Sequence, residues 1–136
     1  MRKVSKFIGA CALTAVAIVA TAQVADLAPI MKQMNPALMS LRQDAQSNMA
    51  NAAKDANNIQ KMFKDAEGFF KAKKANDAVK WSQDAQKAAA DAAKAAKAND
   101  AEGISKAAKT IQGTCTPCHN AHREGPLPDK TYRYKP

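Results

Sequence analysis

The sequence is short of the residues that fill most protein cores and perform most protein chemistry. Aromatic residues make up only 5% of its 136 positions, and it holds three cysteines, two histidines and one tryptophan. Alanine and lysine take their place. Both favour helix, because their side chains lose little rotamer freedom there. A core built of alanine is thin, so something else is expected to supply bulk in the middle. No set of paired carboxylates and no Ser/His/Asp combination offers acid–base or nucleophilic catalysis. The length allows one domain and no second core.

The chain also lacks an apolar run long enough to span a bilayer. Arg2, Lys3 and Lys6 precede an uncharged stretch from Ile8 to Ala22, shorter than the roughly 18 residues a spanning helix needs. The basic start, the short apolar run and the A-x-A pattern at Ala20 and Ala22 predict a signal peptide over residues 1–22, cleaved before Gln23. Most of the apolar stretch follows Cys11, the wrong order for a lipid-anchored export signal, so Cys11 is expected to leave with the leader. Export to the periplasm would place the two remaining cysteines where they could pair. Loss of the three basic residues lowers the formal charge from +9 to +6. For an exported chain this excess argues against nucleic acid and for a solvated lysine-rich face, an acidic partner or a membrane surface. No integral membrane span is expected after cleavage.

Apolar residues spaced alternately three and four apart mark helical seams, and four segments carry them. The first has Leu27, Met31, Met34, Leu38, Leu41 and Ala45; the second Ala52, Ala56, Ile59, Phe63, Ala66 and Phe70. The third contains the repeat "DAVKWSQ", "DAQKAAA", "DAAKAAK" and aligns Ala78, Trp81, Ala85, Ala88, Ala92 and Ala95. The fourth runs Ile104, Ala108, Ile111, Cys115, Cys118, His122. The repeat sets Asp77, Asp84 and Asp91 three residues before Lys80, Lys87 and Lys94, predicting surface pairs. "SNMAN", "KKAND" and a second "KAND" separate the segments, with Asn76 or Asp77 and Asn99 or Asp100 as expected N-caps. Such short connections force neighbours antiparallel, so the expected fold is all-α, an up-down-up-down four-helix bundle over residues 23–125. Pro36 either kinks the first helix or starts a new one capped by Asn35. Pro126 and Pro128 exclude helix from the extended tail, residues 126–136, which the sequence leaves disordered, packed on the edge of the functional site or bound to a partner.

The exception to this plain composition is "GTCTPCHNAHREG", residues 113–125, with two of the cysteines and both histidines. "CTPCH" is the C-x-x-C-H pattern of covalent haem attachment. In that chemistry the thiols of Cys115 and Cys118 add across the two vinyl groups, and the imidazole of His119 reaches the iron. A disulfide and a zinc site on Cys115, Cys118, His119 and His122 are the competing readings. The first leaves His119 unexplained, and the second asks barely two turns of one helix to surround a tetrahedral ion.

Four helices with C-x-x-C-H near the C-terminus resemble the class II cytochromes c, the cytochrome c prime group. The resemblance covers the mature chain in pattern but is specific only in the haem helix. It implies one haem c held by Cys115 and Cys118, with His119 as axial iron ligand. It also places Arg123 near the haem edge or propionates. His122 departs from the family by standing where Tyr or Phe is usual, with packing on the haem or bonding of a propionate as its implied role. It lies on the same side of the porphyrin as His119 and so cannot be the second ligand. In six-coordinate members the distal ligand is a methionine of the first helix. Met31 stands in the matching place, Met34 is its rival, and simple core packing is the third reading of both.

The function implied is that of a non-enzymatic, exported monohaem cytochrome carrying single electrons through a His/Met-ligated iron to redox partner proteins, acidic ones among them. The alternative implied is a five-coordinate haem protein that binds nitric oxide or carbon monoxide. The resemblance is compatible with a homodimer.

Overall fold

The computed structural model describes residues 26–136, and the predicted signal peptide lies outside them. Four long helices form: α1 (Leu27–Ser47), α2 (Met49–Ala72), α3 (Asn76–Lys97) and α4 (Ala101–His122). Each packs along its neighbours in chain order, and α1 closes the ring against α4 in the sparsest of the four seams. This is the antiparallel four-helix bundle that the seams predict. None of the helices described is long and apolar enough to cross a membrane.

The connections are as short as they can be. Asn48 serves both as C-cap of α1 and N-cap of α2, where its side chain accepts from the Asn51 N–H at 3.1 Å. Lys74 (φ 58°) and Asn99 (φ 55°) take the left-handed conformation in the α2–α3 and α3–α4 turns. α1 runs unbroken through Pro36 from its N-cap Asp26, so Asn35 caps nothing.

The two "KAND" stretches fold differently. At the second, Asp100 is the N-cap of α4 and accepts from the Gly103 N–H at 2.8 Å. At the first, neither Asn76 nor Asp77 is the cap: Ala75 holds that position with no side-chain bond, and both expected residues lie inside α3. The reason is local. A Cβ on Gly103 would collide with the Asp100 carboxylate, and the corresponding residue after Asp77 is Lys80, which has one. Asp77 instead accepts from the Ala78 N–H at 2.8 Å and from His122.

The expected Asp-to-Lys pairs are also replaced. Lys80 bonds Asp84 at 2.6 Å and Lys87 bonds Asp91 at 3.4 Å, each four residues on rather than three back. Side chains four apart are offset by about 40° around a helix and those three apart by about 60°, which favours the longer spacing.

The core divides into two clusters. The larger spans Met34, Leu38, Leu41, Ile59, Phe63, Ile104 and Ile111 with a run of alanines from all four helices. The smaller, Ala66, Phe70, Ala75 and Ala78, lies at the end where α2 finishes and α3 begins. Among the described residues every aromatic ring sits towards that end: Phe63, Phe69 and Phe70 in the second half of α2, Trp81 early in α3, Tyr132 and Tyr134 beyond α4. The opposite end is packed by alanine, with Ala45, Ala52, Ala56, Ala92 and Ala96 nearly or fully buried.

Candidate functional site

At the aromatic end the seams open into a crevice lined by Met31, Phe63, Phe70, Trp81, Ser82, Thr114, Cys115, Cys118 and His119. All four helices contribute. Three of these residues follow from α4 itself, since positions 115, 118 and 119 fall on one helical face. Pro117 lies between the two cysteines inside the helix. It has no N–H to offer the Gly113 carbonyl, and Gly113 is on the exposed side. One turn earlier the Ile111 carbonyl accepts from the Thr114 hydroxyl at 2.7 Å and the Cys115 thiol at 3.4 Å, which aims that thiol back along the helix.

Both thiols are free and half-buried. Burial pushes Cys118 up to about 11, helped by the neighbouring Cys115 and Asp77 charges. Burial also raises Cys115, against the Thr114 hydrogen bond. The two therefore stay protonated at neutral pH and are poor spontaneous nucleophiles. Burial, with Arg123 nearby, holds His119 below its ordinary value. Its ring is neutral and keeps a lone pair for a ligand.

The methionines separate cleanly. Met31 lines the crevice, half-buried, beside the small cluster around Phe70. Met34 is 5% exposed and belongs to the larger core. Met39 is 61% exposed.

His122 and Arg123 do not line the crevice. His122 Nε2 lies 2.9 Å from Asp77 Oδ1, and its Nδ1 lies 3.1 Å from the Lys135 carbonyl. Phe70, Trp81 and Tyr134 surround its ring, with Tyr134 stacked at 5.6 Å and 12° between planes. Arg123 ends α4 and places its guanidinium 4.5 Å from the centre of the Tyr132 ring.

Two features have no counterpart in the apolar seams or in the haem motif. Glu67, on α2, is buried and accepts from Gln83 at 2.9 Å and Gln86 at 2.6 Å on α3, besides pairing with Lys71. The i, i+3 spacing of the two glutamines on α3 was the available signal. The tail also returns: β1 (Arg123–Glu124) pairs antiparallel with β2 (Arg133–Tyr134), and Tyr134 packs edge-on against Phe69 at 5.2 Å.

Among the described residues no three His, Cys, Asp or Glu side chains converge in a metal-binding group. No protein-family pattern matches the chain, and no characterised protein or solved structure is significantly similar to it.

Proposed function

We propose that the crevice is a covalent haem c site and that the protein is an exported carrier of single electrons. The observation that carries this reading is the meeting of Cys115, Cys118 and His119 on α4 with Met31 on α1 around one apolar crevice. The donor set fits the group: two protonated thiols one turn apart, a neutral imidazole beside them and a thioether from another helix. The crevice itself holds about 20 Å³, roughly the room one water needs. A haem is accommodated only if helices lining the crevice stand further apart, as α1 and α4 could. Theirs is the seam with the fewest contacts to lose, and its hydrogen bond, Arg42 to Gln112 at 2.7 Å, lies away from the crevice.

A bound haem iron would supply the one-electron couple. The chain's own residues do the rest. Cys115 and Cys118 would hold the group covalently through their two sulfurs. His119 would present its lone pair to the iron, and Met31 would offer a thioether, which would favour the ferrous state. Phe63, Phe70 and Trp81 keep water out, which limits solvent reorganisation when the charge changes.

At the crevice end Glu67, Asp77 and Glu124 are each bonded to a basic side chain. Lys73, Lys74, Arg123 and Lys135 add positive charge there, which would steer an acidic redox partner.

The test is a spectrum. The exported protein, denatured in acid acetone or pyridine, is expected to retain covalently bound haem absorbance. Its absence after expression in a host that matures c-type cytochromes sinks the proposal. With haem present, a ferric low-spin spectrum with a methionine-to-iron charge-transfer band supports electron transfer, and a high-spin spectrum supports the gas-binding alternative.

A further inference from the structure

The segment after α4 has few attachments, and they fall in one place. From Gly125 to Arg133 every residue but Leu127 is exposed. The bonds there are local: Leu127 N–H to the Thr131 carbonyl and Lys130 N–H to the Leu127 carbonyl, both at 2.8 Å, and the Thr131 hydroxyl to Asp129 at 2.6 Å. A ladder of two residues per strand is too short to hold such a loop in place unaided.

Attachment to the bundle is concentrated at Tyr134 and Lys135. The Lys135 N–H donates to the His122 carbonyl at 2.9 Å, and His122 Nδ1 answers with the Lys135 carbonyl. The same ring meets Asp77 through Nε2, so one imidazole ties α4, α3 and the tail together. A carbonyl oxygen and a carboxylate both only accept, so the two contacts are hydrogen bonds together only when each ring nitrogen carries a proton. Tyr134 stacks on that imidazole, and Tyr134 and Cys118 both pack against the cluster around Phe70.

We propose that residues 123–136 form a strap that closes the Cys118 side of the crevice, with His122 as its buckle. Cys115 packs against the larger core cluster instead and is outside the strap's reach. The strap therefore governs one thiol of the pair and leaves the other as an internal reference. This goes beyond the haem reading and does not depend on it.

The test uses the cofactor-free full chain with reduced thiols, labelled with N-ethylmaleimide and read site by site by mass spectrometry. Tyr134→Ala, and a chain ending at Arg133, are expected to label Cys118 at least about tenfold faster than the parent, with Cys115 unchanged. His122→Phe, which keeps a ring but loses both nitrogen bonds, is expected to do the same and to speed hydrogen exchange at the Lys135 amide. The chain ending at Arg133 retains all four helices, so far-UV dichroism confirms that each comparison is between folded proteins. Equal Cys118 labelling in parent and shortened chain overturns the strap. Parent-like labelling in His122→Phe overturns the buckle.

Discussion

His122 and Asp77 stand 45 residues apart in the chain and 2.9 Å apart in space, the imidazole Nε2 facing Oδ1. The contact joins the last turn of α4 to the first turn of α3. The His122 bond lowers Asp77 below its ordinary 3.8, and the Ala78 backbone N–H adds to this. A carboxylate depressed on folding stabilises the fold above its ordinary value and ceases to do so as pH falls through its folded value. Asp77→Asn should therefore lower stability at neutral pH and narrow the difference from the parent below about pH 4. Urea titrations at a series of pH values measure this.

Glu67 carries the larger acid dependence. Hydrogen bonds from Lys71 and Gln86 lower it from 4.5 to about 2. A shift of that size corresponds to about 3 kcal/mol, and solvent screening at exposed Lys71 reduces the expectation to about 1–2 kcal/mol. This contribution is complete above pH 4.5 and fades as pH falls towards 2. Glu67→Gln should lose it at pH 7 and flatten the acid limb of the stability profile, measured by chemical denaturation.

The two candidate methionines give opposite expectations. If the proposed haem is bound, Met31→Ala should abolish a methionine-to-iron band while leaving the melting temperature of the cofactor-free chain little changed, because Met31 is half-buried at the crevice. Met34→Ala should leave the band and cost about 2–4 kcal/mol of stability, as for a buried core side chain. A band lost only in Met34→Ala reverses the assignment.

The alanine end should resist enlargement. Ala89 is fully buried, and Ala89→Leu should cost about 1–3 kcal/mol through overpacking. Leu41→Ala, also at a fully buried site, should cost about 2–5 kcal/mol through the cavity it leaves. Thermal unfolding monitored by far-UV dichroism distinguishes both from the parent.

The bundle was legible because seam residues such as Leu38, Ile59, Ala85 and Ile104 recur at helical spacing, and all four are buried. Cys115 and Cys118 were singled out by the C-x-x-C-H spacing and Met31 by the family resemblance; the seams add only that all three lie on inner faces, where they line one crevice. Periodicity fails where polarity decides. Glu67 comes directly after Ala66 and gives no apolar signal, and its partners lie 16 and 19 residues on. The capping of α3 misled because the two "KAND" tetrapeptides are identical, and the residue that separates them stands three places beyond the aspartate. It is Lys80 in one case and Gly103 in the other. Tyr134 was beyond reach for another reason: nothing local tells a tail that it will find Phe69, Phe70 and His122.

The division between an aromatic end and an alanine end also determines what light can report. Trp81 is the only tryptophan, and it sits among the crevice residues. Intrinsic fluorescence and near-UV dichroism of the cofactor-free chain therefore sample one pole of the bundle. Far-UV dichroism counts peptide units in all four helices. The two signals share a midpoint only if the poles melt together, so a gap between them would measure how independently the alanine pole unfolds.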